Sequence, residues 1–233
     1  CVVQLNATQT WTNESDAVFT AAGVIQGTPA LSLAGPGRFA FSANNTFSGG
    51  LNLYSGGLQL SASTNSMGTG PVLVGTNATL ELSGAFNWRP VALTLYGTGT
   101  NGAGALRQVS TGLGQWRGDI TLGADALIAV PVGTFATHGD LLAGTHTLYI
   151  TNNSTFTMEA GQLTGSRTDG DGALFKTGAG PLFVRASTLA GSIVVDQGAL
   201  RLTEDLEDGD GLLTLRNGTS LTASNSAARS VAK

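Results

Sequence analysis

The stretch Gly35–Leu60, which reads GPGRFAFSANNTFSGGLNLYSGGLQL, decides the fold of this chain. It returns in altered form at Gly178–Leu202 as GAGPLFVRASTLAGSIVVDQGALRL. With one residue omitted from the second copy, the two stretches share alternating apolar positions and a glycine between them: Phe39 and Phe41 align with Leu182 and Val184, Gly56 with Gly198, and Leu58 and Leu60 with Leu200 and Leu202. A recurring unit of strand, turn and strand predicts an array of stacked repeats.

The same alternation of apolar and polar residues continues along most of the chain, which predicts short strands with one face in a core and the other in water. The pairs include Leu31/Leu33, Leu51/Leu53, Val72/Val74, Leu93/Leu95, Ile120/Leu122, Ile128/Val130, Leu148/Ile150 and Leu213/Leu215. Between the pairs lie short runs of Gly, Asn and Ser, which suit tight corners. With 34 glycines and only 11% charged residues in 233, the chain reads as all-β.

Strands of this length are compatible with a β-sandwich, an up-and-down barrel or a β-solenoid. A sandwich favours two-residue hairpin turns and aromatic residues gathered in one core. Here the corners vary in length, only 6% of residues are aromatic, and the unit itself recurs, which favours the solenoid. At about 20–25 residues per coil we expect about ten coils and a rod about 45–50 Å long. The solenoid spans 1–233 as one domain or as a fragment of a longer one, with repeat-like units near 35–82, 102–130 and 178–221.

The segment 35–82 resembles the autotransporter-associated β-strand repeat of bacterial surface passenger proteins. The resemblance rests on Asn-Thr-Phe-Ser-Gly-Gly at Asn45–Gly50, followed by Leu-x-Leu, a Gly corner and a second Leu-x-Leu. The copy at Gly178–Leu202 is a weaker match, because Leu189–Ser192 replaces this hallmark. The resemblance implies a right-handed parallel β-helix outside the cell or on its outer surface, with a non-catalytic structural or adhesive role as a stalk, adhesin scaffold or fibre segment. The expected partners are further copies of the chain, other surface proteins, or a host-cell or glycan surface.

Charge and hydropathy narrow the possible partners. The net charge is −4 and the arginines are scattered singly, which disfavours nucleic-acid binding. No run of about 18 apolar residues occurs, so no helical membrane span is expected. The single cysteine, Cys1, permits no internal disulfide, and it is either a fragment boundary or the lipid-modified first residue of a bacterial lipoprotein.

Two short motifs have both a functional and a structural interpretation. The run Gly97–Gly102 satisfies GxGxxG, but no helical pattern follows that would place a pyrophosphate at a helix N-terminus. A glycine-rich corner and no cofactor is therefore the expectation. Arg117-Gly118-Asp119 is the tripeptide of many adhesion ligands, although Gly118 also fits as an ordinary corner glycine before the strand at Ile120.

Two Asp-Gly repeats are candidate calcium sites, since Ca²⁺ takes six to eight oxygen ligands and spaced aspartates supply them. The aspartates are Asp169 and Asp171 in the first repeat and Asp208 and Asp210 in the second. Solvated acidic corners are the alternative. The two histidines, His138 and His146, lack the partners of a metal-binding set.

Carbohydrate binding or cleavage is the alternative function, because right-handed β-helices also carry polysaccharide-cleaving sites. Such sites need clustered carboxylates. Outside the acidic run at 204–210 the carboxylates are isolated, so no enzyme activity is expected. A glycan groove also needs aromatic platforms. The candidates are Trp11, Trp88, Trp116 and Tyr96.

Seven Asn-x-Ser/Thr sequons occur, at Asn6, Asn13, Asn44, Asn77, Asn152, Asn153 and Asn217. They are either N-glycan acceptors or the product of Asn-rich corners beside Thr-rich strands.

Overall fold

Short runs of alternating apolar and polar residues form strands, and the Gly- and Asn-rich segments between them form corners. A computed structural model of the chain describes residues 1–61, 65–84, 87–88, 90–185, 187–203 and 211–223. Across these residues the chain is almost entirely β-strand, with one 3-10 turn at Thr100–Gly102.

The strands β1 to β25 line up on three faces of a solenoid. Face 1 contains β1 (Val2–Leu5), β4 (Val24–Gly27), β9 (Asn87–Trp88), β12 (Leu113–Trp116), β14 (Thr134–Thr137), β17 (Thr155–Met158), β20 (Pro181–Val184), β23 (Ala199–Leu202) and β25 (Ser220–Ala223). Face 2 contains β2 (Gln9–Thr12), β5 (Leu31–Ala34), the first parts of β7 (Leu51–Ser61), β8 (Val72–Ser83) and β13 (Ile120–Val130), together with β10 (Leu93–Gly97), β15 (Leu141–Gly144), β18 (Leu163–Gly165) and β21 (Ser187–Leu189). Face 3 contains β3 (Phe19–Ala21), β6 (Arg38–Phe41), the second parts of β7, β8 and β13, together with β11 (Leu106–Gln108), β16 (Leu148–Asn152), β19 (Leu174–Thr177), β22 (Ile193–Val195) and β24 (Leu213–Leu215).

All strand pairs among the described residues are parallel, and each strand pairs with the strand one coil further along the chain. On face 2, for example, Leu31 pairs with Leu51, Leu51 with Val72, and Val72 with Leu93. The structure therefore confirms the predicted β-solenoid and its length of about ten turns.

Like residues stack on like residues inside the solenoid. On face 3 the inward column runs Phe39, Leu58, Leu80, Leu106, Ile128, Ile150, Lys176 and Val195. All of these side chains are buried, and all but Lys176 belong to one continuous hydrophobic cluster. Because each coil covers the apolar side of its neighbour, the stacking supplies a core that a single coil lacks.

The repeated sequence unit occupies a different face in its second copy. In the first copy Phe39 pairs with Leu58 on face 3, whereas in the second Leu182 pairs with Leu200 on face 1. The paired residues are 19 positions apart in the first copy and 18 in the second, and each copy still closes one full coil. The three faces therefore accept the same local sequence.

Both copies also build the same corner from an Asn-x-Ser sequence in the preceding coil. The Asn13 side-chain amide donates to the Arg38 carbonyl at 2.8 Å, and that of Asn152 donates to the Pro181 carbonyl at the same distance. The Gly37 and Gly180 amides then donate to the backbone carbonyls of Asn13 and Asn152, respectively. These hydrogen bonds join consecutive coils where the strands are interrupted.

Two coils are longer than the others, and both carry the extra residues at the corner between faces 2 and 3. The first insertion follows β10 and includes the 3-10 turn Thr100–Gly102, and the second follows β18 and ends before Leu174. Register is kept on both sides, since Leu95 pairs with Leu122 and Leu106 with Ile128. The insertions therefore project at the edge of face 3 without breaking its ladder.

Candidate functional site

The outer side of face 3 changes character along the solenoid. In its first half the outward residues are charged or polar, with Arg38, Gln59, Glu81 and Arg107 in successive coils. In its second half an apolar column runs from Leu127 through Tyr149 and Phe175 to Val194. Beside it lies a column of small residues: Ala129, Thr151 and Thr177.

The charges in the first half pair with one another. Arg38 and Arg107 both face Glu81, with Arg38 in direct hydrogen-bonded contact and the Arg107 guanidinium 3.8 Å from the carboxylate. Glu81 is only 9% exposed. The two arginines therefore neutralise a carboxylate that is largely shielded from water.

The apolar column forms the floor of a groove. The groove has a volume of about 170 Å³. It is lined by Leu127, Tyr149 and Phe175 together with Thr98, Thr151 and Thr177. The Tyr149 and Phe175 rings are tilted against each other with centroids 5.8 Å apart. On one side the hydroxyls of Thr151 and Thr177 share a hydrogen bond of 2.8 Å. A second groove of about 160 Å³ continues from Leu127 and Thr151 toward Arg107.

The first insertion forms a lip over both grooves. Thr98 borders the first groove, and Gly102 and Ala103 border the second. The lip is fastened by Thr100, whose backbone amide donates to Thr79 Oγ1 and whose hydroxyl lies 2.9 Å from the Gly56 carbonyl. These contacts reach across coils, so the lip is held in place by face 3 itself.

An acidic wall lies beside β16, at the same corner between faces 2 and 3 as the lip. The Tyr149 hydroxyl donates to Asp171 Oδ2 at 2.8 Å, which ties the aromatic ring to the second insertion. Arg167 donates to Asp125 at 2.9 Å and to Asp169 at 3.1 Å. This network holds the second insertion against the two coils that precede it.

Two ionisable groups in this wall have shifted pKa values. Desolvation acts to raise the pKa of Asp125, but the Thr147 amide and Arg167 hydrogen-bond its carboxylate and leave the pKa below its usual value. Desolvation, followed by the hydrogen bond to Asp171, raises the pKa of Tyr149 above its usual value. The phenol therefore remains protonated and a hydrogen-bond donor throughout the neutral range.

The calcium candidates lie partly in this wall. Asp169 pairs with Arg167, and Asp171 accepts the bond from Tyr149, so each carboxylate has a protein partner. Asp208 and Asp210 lie outside the described residues. In the part of the chain that the structure describes, no three His, Cys, Asp or Glu side chains form a group suited to a metal ion.

The tripeptide Arg117-Gly118-Asp119 forms a short corner between β12 and β13. A Cβ on Gly118 would lie 2.0 Å from the Val91 carbonyl oxygen, and one on Gly139 would lie 2.3 Å from that of Gly118. The Asp119 carboxylate accepts the Asp140 amide at 3.0 Å, and that of Asp140 accepts the Gln162 amide at 2.8 Å. Gly118-Asp119 is therefore one step of a stacked Gly-Asp corner, at which Arg117 and Asp119 are both exposed and the Asp119 carboxylate is engaged by the next coil.

The predicted aromatic platforms are not the aromatic residues of the groove. Trp116 is wrong as a platform, because its side chain is fully buried, pointing inward with Gly114. Trp11 packs against Phe19 and Phe41 at the core margin. Tyr96 lies over Gly123, where an added Cβ would meet its ring. The side chain of Trp88 lies outside the described part of the chain.

The remaining sequence candidates are dispersed. Gly97–Gly102 folds as the expected glycine-rich corner, with the lip's 3-10 turn in place of a long helix. His146 lies 3.8 Å from Asp125, whereas His138 follows β14 at another corner. Cys1 carries an exposed thiol. Of the sequon asparagines, Asn13 and Asn152 are buried and hydrogen-bonded within corners, whereas Asn6, Asn44, Asn77, Asn153 and Asn217 are exposed.

Sequence reasoning missed Tyr149 and Phe175. The available signal was an aromatic residue in the outward phase of an alternating strand, as in Leu148-Tyr149-Ile150 and Leu174-Phe175-Lys176. Their proximity, however, depends on the length of the second insertion, which brings residues 26 positions apart into register.

No helix among the described residues has the length and hydropathy needed to span a bilayer. Comparison of the chain with family models, curated proteins and solved structures found no match.

Proposed function

We propose that this chain is a non-catalytic structural and adhesive rod, exported to the outer cell surface or beyond. One observation carries the proposal: about ten coils stack through parallel strand pairs on three faces, of which face 1 is interrupted between β4 and β9, around one continuous apolar core. A structure in which each coil is fastened to the next resists extension and holds surface groups at fixed distances along its axis.

The distribution of charge supports a scaffold. Glu81 is neutralised by Arg38 and Arg107, and Asp125 by Arg167, so these ionisable groups serve to join coils that are one or two steps apart. The resemblance of segment 35–82 to the autotransporter-associated repeat supports display outside the cell.

The location is tested with antibodies raised against the purified chain. We expect them to label intact cells of the organism that encodes it, and a protease added outside those cells to remove the label. Labelling that requires permeabilised cells would contradict the proposal.

Adhesion is tested by coating beads with the purified chain and measuring their retention on host-cell or glycan-coated surfaces under flow. Beads coated with the heat-unfolded chain are the control. Equal retention of the two bead preparations would count against an adhesive role.

Carbohydrate binding is the second candidate function, and the groove with Tyr149 and Phe175 at its floor is the observation that favours it.

A further inference from the structure

The groove on face 3 has the chemistry of a ligand site. Binding sites for small molecules are concave and mainly apolar, with a few polar groups that orient the ligand. Here Leu127, Tyr149 and Phe175 form the floor, and Thr151 and Thr177 supply hydroxyls. Asp171 accepts a hydrogen bond from the Tyr149 hydroxyl and so fixes that ring.

The direction of the groove indicates an extended ligand. Leu127, Tyr149 and Phe175 belong to three successive coils, so the apolar floor runs along the solenoid axis. Neighbouring coils are about 4.8 Å apart, which is close to the length of one pyranose unit in an extended glycan chain. A linear oligosaccharide would therefore meet one outward side chain per sugar ring.

The charge of the groove indicates an uncharged ligand. Arg216 lies over the Phe175 ring but is paired with Asp196 at 2.7 Å, and Arg167 is paired with Asp125 and Asp169. Both guanidinium groups are thus already paired with carboxylates, and the Asp171 carboxylate, hydrogen-bonded to the Tyr149 hydroxyl, disfavours an anionic sugar nearby. Aromatic ring faces are electron-rich and attract the polarised C–H groups of a sugar ring.

A peptide strand fits the groove less well. The backbone amides and carbonyls of β13, β16 and β19 already pair within the sheet, so they offer no edge for an added strand. Sugar hydroxyls, in contrast, need side-chain partners only.

We infer that the groove formed by Leu127, Tyr149, Phe175, Thr151 and Thr177, closed at one end by the lip at Thr98, binds a neutral linear glycan along the solenoid axis. The inference rests on the proposed adhesive function and names its ligand class.

The test is affinity measurement with defined probes. The wild-type chain is titrated with cellohexaose, xylohexaose, laminarihexaose and mannohexaose, and with oligogalacturonate as an anionic probe. We expect binding to at least one neutral hexasaccharide and weaker binding to oligogalacturonate. Absence of binding to every neutral probe, or preference for the anionic one, would overturn the inference.

The location of the site is tested with Tyr149→Ala and Phe175→Ala. Each is expected to weaken binding about tenfold through loss of an aromatic contact. Phe183→Ala is the matched control, since Phe183 also points outward under an arginine, with Arg201 5.1 Å from its ring centre, but lies on face 1. An affinity unchanged in Tyr149→Ala and Phe175→Ala, or reduced equally in Phe183→Ala, would place the ligand elsewhere.

Thr98→Arg keeps the Tyr149 and Phe175 rings and places a large side chain in the groove from the exposed lip. It therefore tests the same site even when an aromatic variant fails to fold. We expect it to weaken binding at an unchanged melting temperature, and retained affinity would contradict the inference. Specific binding of a protein partner to the same residues, blocked by Thr98→Arg, would overturn the assignment of ligand class.

The glycan inference and the proposed function fail separately. If antibodies label the outer cell surface and coated beads are retained, but no neutral probe binds, the adhesive function stands and the glycan inference fails. If a neutral probe binds but the chain is found only inside cells, the glycan inference stands and the proposed surface function fails.

Discussion

At the scale of single residues, Asn45 explains why the hallmark stretch of the repeat contains asparagine. Its side chain is fully buried at a position on face 1 that belongs to no strand. The Oδ1 atom accepts the Ile25 amide of the coil before, at 2.8 Å, and Nδ2 donates to the Ser66 carbonyl of the coil after, at 2.5 Å. The carboxamide thus takes the place of a peptide group and joins three coils.

Asn45→Ala removes both bonds and leaves a buried amide and a buried carbonyl without this partner. Each such group costs about 1–3 kcal/mol, so we expect the free energy of unfolding to fall by about 2–6 kcal/mol in total. Urea unfolding monitored by circular dichroism measures the change. Asn6→Ala, at an exposed asparagine, is the control and should shift stability by less than about 0.5 kcal/mol. A similar loss in both variants would contradict the bridging role.

Lys176 is the other unusual residue, a lysine in an aliphatic column between Ile150 and Val195. Its side chain is fully buried, and its ammonium donates to the carbonyls of Thr177, Gly178 and Gln197 at 2.8–3.2 Å. Desolvation lowers its pKa from 10.5 to about 8. The ammonium therefore satisfies corner carbonyls at the cost of placing a charge in the core.

The pKa of Lys176 predicts a dependence of stability on pH. Since the unfolded lysine keeps its proton up to about pH 10.5 and the folded one releases it near pH 8, the unfolded state binds more protons between these values. Stability should therefore rise with pH in this window, by roughly 3 kcal/mol relative to Lys176→Met. Urea titrations of both proteins at pH 7, 8, 9 and 10 measure the difference, and parallel curves would show that Lys176 does not titrate there.

At the scale of structural elements, the corners limit the sequence more strictly than the strands do. Gly56 stacks on the corner formed by Gly35 and Gly37, and a Cβ there would lie 2.4 Å from the Gly37 carbonyl oxygen. Gly198 repeats this arrangement over Gly178 and Gly180 in the second copy of the unit. Glycine is required at these corners because the backbones of neighbouring coils are in contact.

Gly56→Ala is expected to destabilise the solenoid far more than Gly102→Ala. Both glycines have positive φ, 77° and 73°, but an added Cβ on Gly102 would meet nothing within 4 Å. The Gly102 variant should lose about 1–2 kcal/mol from backbone strain alone. The Gly56 variant adds a steric clash with backbone and should lose at least about 2 kcal/mol more. Thermal unfolding distinguishes the two, and equal losses would mean that strain in φ is the only factor.

The groove depends on elements that the strand pattern does not reveal. Alternation predicts that Tyr149 and Phe175 point outward if their neighbours point inward, but it leaves open which outward residues of other coils they meet. The second insertion lengthens one coil and so determines that Tyr149 pairs with Phe175. Trp116 shows the opposite error: it was a candidate platform, but beside the small, inward-facing Gly114 its side chain fills the core.

At the scale of the whole molecule, the solenoid is built from interchangeable coils. Ile120 pairs with Leu93 on one side and with Leu141 on the other, so Leu141 can take the place of Ile120. In such an array stability is approximately the sum of contributions from coils and from the contacts between neighbours.

Deleting residues 120–140 removes one full coil and keeps every later strand on its own face. We expect the shortened chain to fold with a parallel β-sheet spectrum and cooperative unfolding at a somewhat lower melting temperature. Deleting residues 120–133 instead brings Thr134, a face 1 residue, to the start of face 2, and that chain should aggregate. Equal folding of the two chains, judged by circular dichroism and size-exclusion chromatography, would contradict coil-by-coil assembly.

The sequence by itself determined the strands, the glycine corners and the approximate coil length. These features follow from local chemistry: side chains alternate across a strand, and glycine is favoured where backbones touch or φ is positive. Alternation also implies that inward apolar residues of one coil stack on those of the next, as Phe39 does on Leu58.

The tertiary structure alone decided which distant surface residues meet. Corner lengths differ from coil to coil, and each insertion changes the face and coil on which every later residue lies, so contacts across coils are not contained in the two-residue period. The shift of the second repeat copy from face 3 to face 1 has this origin, and so does the pairing of Tyr149 with Phe175 beside the lip at Thr98. Backbone pairing between coils produces the solenoid, whereas the lengths of two corners create its candidate binding site.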